Sequence, residues 1–267
     1  MLSMSTKSPV KFGHQEHTQF MEEGYVRLGH LLSNKELAAL QQRIDDIMLG
    51  NIPYENMRFQ LDSTTGAYRE APPESVGHKG ATLQYRKIMD LEQDPLFLSY
   101  MQHPLLRNIT RRYIGEDVSI YRAMFMNKPA NQGTVLPWHQ DVGVGWGLDR
   151  NPIVTVWMAL DDATVENGCM QIVPGIHKHG VINEGHFATE ADAEKYQLEE
   201  NAIDLEAEEG EVVLLNNLLL HRSGVNPTGK QRRAFSAAYM DAATKHVTTD
   251  ETFPVIFGKD ALKPSEC

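Results

Sequence analysis

The segment Trp138-His139-Gln140-Asp141 determines which fold and chemistry this chain suggests. It places an imidazole and a carboxylate two residues apart, directly after a proline and just before a glycine-rich run. Side chains two residues apart on a β-strand point to the same face of the sheet. His139 and Asp141 can therefore reach one point, as two ligands of a metal ion would, and a third ligand would have to come from a distant part of the chain.

His221 is the best candidate for that third ligand. It lies 82 residues after His139 (221 − 139), at the end of the apolar run 212–220. A histidine that leaves a buried strand is usually structural, yet a closed β-sandwich can bring such a strand end beside an earlier strand. Two imidazoles and one carboxylate form the facial triad that leaves coordination positions open on non-haem Fe(II).

Composition restricts the classes of partner. The 267 residues include 25 Lys and Arg against 36 Asp and Glu, a formal net charge of −11, which weighs against nucleic acid because a phosphate backbone demands a basic face. No apolar run approaches the roughly 20 residues of a membrane span, and residues 1–11 lack a segment typical of a signal peptide. The two cysteines, Cys169 and Cys267, do not suggest a disulfide framework. We therefore expect a cytoplasmic protein that binds neither nucleic acid nor membrane.

Helix signals dominate the first part of the chain and strand signals the second. Helices are predicted at 14–23, after the Ser33 capping box, after Asp94-Pro95 and after His103-Pro104. The segment 51–82 lacks periodicity and is predicted to be a functional loop or lid. Strands are predicted at 25–28, 83–91, 118–127, 135–141, 153–161, 170–173, 211–216, 218–222 and 232–240. This order favours a mainly β sandwich or barrel with helices packed outside it.

Three motifs, taken together in this order, resemble the phytanoyl-CoA dioxygenase family of Fe(II)/2-oxoglutarate-dependent oxygenases. The resemblance runs from about Phe20 to Met240. The motifs are Pro137-Trp138-His139-Gln140-Asp141, then Asn167-Gly168-Cys169-Met170-Gln171-Ile172-Val173-Pro174-Gly175-Ile176-His177, and His221-Arg222-Ser223-Gly224-Val225-Asn226 followed by Arg232. The resemblance implies a double-stranded β-helix, a cupin-like jelly roll whose mouth holds the iron. We expect one domain over 1–267, with a helical part at about 14–114, a jelly-roll core at about 115–242 and an extension at 243–267.

The resemblance also implies roles for individual residues. His139, Asp141 and His221 match the iron ligands of the family. Arg232 matches the arginine that binds the distal carboxylate of 2-oxoglutarate, for which a guanidinium fork is well suited. Neighbouring Arg233 looks like a surface salt bridge. The remaining family positions near the cosubstrate are Ser223, Lys87, Gln140 and Trp157.

The implied reaction consumes 2-oxoglutarate and O2, releases succinate and CO2, and hydroxylates an unactivated C–H bond. Halogenating relatives have a small residue where this chain has Asp141, so hydroxylation is the favoured outcome. Ligation needs neutral imidazoles and an ionised carboxylate, so activity should fall in acid. Two alternatives stay open: a cupin-type metalloenzyme that does not use 2-oxoglutarate, and a non-catalytic barrel that only binds.

The substrate pocket is the least determined part of the sequence. Trp146, in the run 142–148, is predicted to be an apolar contact on a mobile rim. Tyr121, Phe125 and Asn127 alternate along one strand and would line the barrel if that face points inward. His78 belongs to the predicted lid. No basic cluster suits the phosphates of coenzyme A, so a small free substrate is favoured.

Overall fold

Two antiparallel sheets form the centre of the fold in a computed structural model, which describes residue 10, residues 12–142 and residues 144–264. The strands are β1 Tyr25–His30, β2 Arg58–Leu61, β3 Ser75–Val76, β4 Tyr85–Met89, β5 Val118–Lys128, β6 Leu136–His139, β7 Val154–Ala159, β8 Met170–Ile172, β9 Ile203–Leu205, β10 Glu211–Asn216, β11 His221–Ser223, β12 Arg232–Asp241 and β13 Val255–Phe257. The larger sheet has the order β1-β10-β7-β12-β5-β4-β2-β3, and β13 also pairs with β5. The smaller sheet has the order β6-β11-β8-β9. The predicted mainly β architecture is confirmed.

Helices pack around the two sheets. They are α1 His14–Glu23, α2 Asn34–Leu49, α3 Pro95–Met101, α4 Pro104–Tyr113, α5 Glu190–Lys195 and α6 Leu198–Asn201. The predicted capping box begins α2: the Ser33 hydroxyl accepts from the Glu36 N–H, and the Glu36 carboxylate accepts from the Ser33 N–H at 2.8 Å. Gly50, with φ of 78°, ends this helix in the left-handed region.

The larger sheet separates two hydrophobic cores, and the alternation of strand side chains decides which residue enters which core. On the helix side, Phe125 of β5 and Phe235 of β12 pack with the apolar residues of α2, α3 and α4. On the other side, Trp157 and Ala234 pack with Met170 of the smaller sheet. The site described below lies on this second side, between the two sheets.

Two segments for which no strand was predicted contribute strands to the larger sheet. The predicted lid contains β2 and β3, and β2 pairs with β4. The predicted C-terminal extension contains β13, which pairs with β5. These strands have two to four residues each, too few for their alternation to stand out among prolines and glycines. They also depend on pairing with residues distant in the chain.

The strand predicted at 218–222 begins later, at His221. A turn precedes it, in which the Leu219 N–H donates to the Asn216 carbonyl at 2.8 Å. In the part of the chain that the structure describes, no helix is long and apolar enough to cross a membrane.

Candidate metal centre

The pairing of β6 with β11 brings the two histidines of the predicted triad together. His139 and His221 are direct partners in the register of these strands, and their ring centroids lie 4.1 Å apart. Asp141 follows the end of β6, where its backbone N–H donates to the Asn217 carbonyl at 3.0 Å. This bond fixes the backbone so that the carboxylate of Asp141 faces both rings.

The donor atoms of the triad converge. Nε2 of His139 lies 3.8 Å from Oδ1 of Asp141, and Nε2 of His221 lies 3.8 Å from Oδ2. All three ligand atoms lie within 4.8 Å of one another. Donors about 2.1 Å from one metal ion, at right angles, would be about 3 Å apart, so small side-chain rotations would complete the coordination. The residues present fit a metal ion.

Backbone carbonyls orient both rings. Nδ1 of His139 lies 2.9 Å from the Pro137 carbonyl, and Nδ1 of His221 lies 3.0 Å from the Leu219 carbonyl. A carbonyl only accepts, so each Nδ1 carries the proton and each Nε2 lone pair is left for a metal. Burial, together with the nearby His221 and His186 rings, lowers the pKa of His139 well below its usual range. The ring is therefore neutral, as a ligand must be.

Arg232 lies at one end of the cavity that contains the triad. Its side chain is 5% exposed, and one terminal nitrogen donates to the Gly168 carbonyl at 2.8 Å. Its Nε is buried and has no hydrogen-bond partner among the described residues. Burial lowers the pKa of Arg232 to about 10, so the guanidinium stays charged at neutral pH. A buried cation with an unused donor is costly unless an anion joins it.

Lys128 is a second basic side chain at this end. In the register of β5 and β12 it is directly opposite Arg232. Its Nζ donates to the Thr134 carbonyl at 2.7 Å. Burial, with Arg232 and Arg86 nearby, lowers the pKa of Lys128 well below its usual range. This end of the cavity is suited to a small dicarboxylate that presents one carboxylate to Arg232 and the other to the triad.

The family pattern of phytanoyl-CoA dioxygenase matches residues 20–234. This chain belongs to the phytanoyl-CoA dioxygenase family. It is a non-haem iron oxygenase that uses Fe(II), 2-oxoglutarate and O2, from an enzyme family that acts on small molecules.

Several curated relatives align with most of this chain. It is 28% identical over 253 residues to a probable phytanoyl-CoA dioxygenase of Caenorhabditis elegans, covering 89% of this chain and 78% of that protein. It is 24% identical to the peroxisomal phytanoyl-CoA dioxygenase of Rattus norvegicus, covering 94% and 75%. A shorter match, 25% identical over 185 residues and covering 68% and 60%, is to L-proline trans-4-hydroxylase of Streptomyces griseoviridis.

Solved structures show the same fold. EctD from S. alaskensis, crystallised with 2-oxoglutarate and 5-hydroxyectoine, superposes with a TM-score of 0.71 at 17% identity, covering 92% of this chain and 83% of that one. The carbocyclase SnoK superposes with a TM-score of 0.64 at 19% identity, covering 88% and 87%. Both neighbours confirm the predicted cupin-like jelly roll.

Three of the four family positions predicted near the cosubstrate line the cavity, namely Ser223, Lys87 and Trp157. The Lys87 amine is largely buried, 3.6 Å from Glu74. Gln140 does not line the cavity. Its Nε2 donates to the carbonyls of Gly180 and Leu218 at 2.9 and 2.6 Å, and its Oε1 accepts from the Ile182 N–H at 2.8 Å. The side chain of Gln140 therefore joins backbone segments, and its predicted contact with the cosubstrate stays a prediction.

The residues predicted to contact substrate divide into two groups. Trp146 and Asn127 line the cavity, and Tyr121 stacks on Trp146 with ring centroids 4.5 Å apart. Phe125 lies outside the cavity because the opposite face of β5 points inward. His78 lies outside it too: its Nε2 faces the Met48 carbonyl at 2.9 Å, and its ring packs against Phe59 and Tyr85.

Several cavity residues were missed by sequence reasoning. Apart from Asn127, whose side-chain amide donates to the Leu83 and Tyr85 carbonyls, the β5 residues that line the cavity are the even-numbered Arg122, Met124, Met126 and Lys128. Tyr68, from the predicted lid, also lines the cavity. So does His186, whose ring lies 5.1 Å from that of His139, with φ of 75°. A non-glycine residue in the left-handed region is a recognised sign of a functional constraint, but that signal is invisible in sequence.

Proposed function

We propose that this enzyme hydroxylates an unactivated C–H bond of a small-molecule substrate and releases succinate and CO2. The observation that carries the proposal is the arrangement of His139, Asp141 and His221 in the same cavity as the buried cation of Arg232. A triad alone would suit many metalloenzymes. The added cation, with an unused buried donor, is what a 2-oxoglutarate enzyme requires.

In this proposal the three triad side chains hold the iron and leave the remaining positions to 2-oxoglutarate and O2. The Pro137 and Leu219 carbonyls keep both imidazoles in the tautomer that binds metal. Bound Fe(II) supplies the redox chemistry that couples decarboxylation of 2-oxoglutarate to oxidation of the substrate. Asp141 fills the coordination position that a halogenating relative leaves to chloride, which favours oxygen transfer as the outcome.

The cosubstrate is assigned to the end of the cavity near Arg232. Arg232 and the Ser223 hydroxyl bind the distal carboxylate, and Lys128 lies opposite Arg232 as a further basic side chain. Lys87 and Trp157 line the path from there toward the triad. A cupin-type enzyme that ignores 2-oxoglutarate would have no use for this buried positive charge, and a non-catalytic barrel would not need the triad.

The relatives named above support hydroxylation without requiring it. One is named a hydroxylase, and EctD was crystallised with a hydroxylated compound. However, the structural neighbours also include a carbocyclase and an epimerase. The cytoplasmic location likewise stays a prediction, since relatives are named as peroxisomal enzymes.

The proposal is tested by screening small molecules for substrate-triggered succinate release, followed by mass spectrometry of the product under ¹⁸O2. We expect one product that carries a single ¹⁸O atom, formed in step with succinate. A product that has lost two hydrogens and gained no oxygen would contradict hydroxylation. Activity that persists without 2-oxoglutarate would support the cupin alternative.

A further inference from the structure

The cavity is strongly cationic although the protein carries a net charge of −11. Among the described residues that line it, Asp141 is the single carboxylate. The cationic lining residues are Arg86, Lys87, Arg122, Lys128, Arg222 and Arg232. 2-Oxoglutarate brings two negative charges and iron adds positive charge, so the cosubstrate alone does not balance this lining.

Most of these cations have an assigned partner. Arg222 pairs with Glu199 at 2.6 Å, and Lys87 lies 3.6 Å from Glu74. Arg232 and Lys128 are at the cosubstrate end. The two left over are Arg86, which donates to the Gln60 amide oxygen at 2.7 Å, and Arg122.

Arg122 is held in place without a counterion. One terminal nitrogen donates to the Tyr121 hydroxyl at 3.0 Å, and the guanidinium carbon lies 4.6 Å from the Tyr121 ring centroid and 5.3 Å from that of Trp146. Its Nε is buried and has no hydrogen-bond partner among the described residues. No carboxylate of a described residue lies within 4.0 Å of its nitrogens. The rings of Tyr121 and Trp146 therefore position a charged guanidinium group whose Nε–H donor is unused.

Arg122 lies at the opposite end of the cavity from the cosubstrate site. It is six residues from Lys128 on the same strand and the same face, a Cα separation of roughly 20 Å. A five-carbon cosubstrate that has its distal carboxylate at Arg232 is much shorter than this separation. Arg122 nevertheless packs against Trp146, which follows the ligand Asp141 by five residues, and its charge also lowers the pKa of Lys87. It therefore lies on the metal side of the cavity, where a substrate would enter.

We propose that Arg122 binds a carboxylate of the substrate and thereby presents a neighbouring C–H bond to the metal centre. The assignment rests on the proposed function. A single guanidinium fork matches the planar geometry of a carboxylate. Near it, Met124, Trp146, Leu215 and Ala238 offer apolar contacts for the carbon skeleton. Amines without an acidic group are excluded, because their charge would be repelled by Arg122 and Lys87.

The test uses the intact enzyme with Fe(II) and 2-oxoglutarate under anaerobic conditions, where this pair gives a visible charge-transfer band. The probes are small carboxylic acids, amino acids included, with their matched primary amides and phosphonic acids. Binding is read as a perturbation of the band, and succinate release is then measured in air. We expect acids to bind at least about ten-fold more tightly than amides, as one charge-assisted fork implies.

Variants locate the effect. Arg122→Gln should weaken binding of the responding acid at least about ten-fold while the affinity for 2-oxoglutarate stays unchanged. Arg122→Lys keeps the charge but loses the guanidinium fork. Its affinity for the acid should lie between those of wild type and Arg122→Gln. Arg150→Gln, which removes an exposed arginine paired with Asp149 and Asp241, is the control and should behave as wild type.

The possible results distinguish failure of the proposed function from failure of the carboxylate assignment to Arg122. Absence of the band in wild type overturns the proposed function itself. A normal band with amides or phosphonic acids preferred, or with no acid effective at millimolar concentration, overturns only the carboxylate assignment. The same holds if Arg122→Gln weakens 2-oxoglutarate binding and leaves acid binding unchanged, because Arg122 would then serve the cosubstrate.

Discussion

At the scale of single residues, the sequence predicted which residues lie close together better than it predicted how deeply each one is buried. The structure brings His139, Asp141 and His221 together as the motifs suggested. Arg233 was predicted to be a surface salt bridge; it does pair with Asp45 and Asp161, each at 2.7 Å, but it is buried. A motif states which residue type stands at a position, whereas burial depends on elements packed from elsewhere.

Replacing Arg232 should weaken the use of 2-oxoglutarate specifically. We expect Arg232→Ala to raise KM for 2-oxoglutarate on the order of 100-fold, since truncating one side of a buried charged pair costs about 2–5 kcal/mol. Affinity for Fe(II) should be unchanged. Steady-state kinetics with varied 2-oxoglutarate measures the effect. Arg233→Gln is the matched control: it should lower stability and leave KM unchanged, and an equal KM effect in both variants would contradict the assignment.

Lys87 predicts a pH dependence. Burial, with Arg86 and Arg122 nearby, lowers the pKa of Lys87 from 10.5 to about 8. An anion-binding lysine must be charged, so kcat/KM for 2-oxoglutarate should fall as pH rises through about 8. Lys87→Arg, which stays charged, should flatten the profile between pH 7 and 9. A profile that is the same in both proteins would exclude a role for Lys87 in binding the cosubstrate.

The lowered pKa of Lys87 also affects stability. Here a rise in pH is favourable, whereas it is unfavourable for cosubstrate binding. The folded state disfavours the charged amine, so between pH 8 and 10.5 the unfolded chain binds more protons than the folded one. The Lys87 contribution to the free energy of unfolding should therefore rise with pH in this window. Denaturant unfolding of wild type and Lys87→Met at both ends of the window measures it. A difference that does not change with pH would contradict the shifted pKa.

At the scale of elements, the long strands could be predicted and the direction of their faces could not. β5 was predicted almost to its observed length, but the prediction that Tyr121, Phe125 and Asn127 line the barrel depended on their face pointing inward. Alternation has a period of two, which fixes the pairs of residues that share a face but not which face points inward. In β5 both faces carry apolar residues, with Met124 and Met126 on one and Ala123 and Phe125 on the other. Only the packing of helices against Ala123 and Phe125 decides the orientation of this part of the strand.

Gln140 is expected to act through the backbone it joins. Gln140→Ala would leave the Gly180 and Leu218 carbonyls and the Ile182 N–H without this partner, at about 1–3 kcal/mol of stability. We therefore expect a melting temperature several degrees lower, with KM for 2-oxoglutarate unchanged in the surviving folded enzyme. Thermal denaturation and kinetics measure the two effects. A raised KM without loss of stability would instead restore Gln140 as a cosubstrate contact.

Gly168 links a turn to the cosubstrate site. Its φ of 76° is in the left-handed region, and a Cβ there would collide with the Val225 carbonyl. Its own carbonyl accepts from Arg232. Gly168→Ala should therefore cost more than about 1 kcal/mol of stability and also weaken 2-oxoglutarate binding. At Gly224, a Cβ would meet no described atom within 4 Å, so Gly224→Ala serves as the control. Equal effects of the two substitutions on KM would refute the link.

At the scale of the whole molecule, an acidic protein surrounds a cationic cavity, and composition conceals this contrast. The net charge of −11 weighs against a basic nucleic-acid face but says nothing about the cavity. The cations that line it come from β4, β5, β11 and β12, which lie far apart in the chain. The class of protein could be predicted because motifs keep their order along the chain. The substrate-binding part of the cavity could not be predicted, because only the folded sheets bring Arg122 near the triad.

The central claim is that one cavity binds Fe(II) through His139, Asp141 and His221 and binds 2-oxoglutarate beside it. Anaerobic addition of Fe(II) and 2-oxoglutarate to the purified protein tests this most directly, by absorption spectroscopy. We expect a visible charge-transfer band that saturates at one iron per chain and is abolished in His221→Ala. A colourless wild-type mixture, or a band that is unchanged in His221→Ala, would contradict the claim.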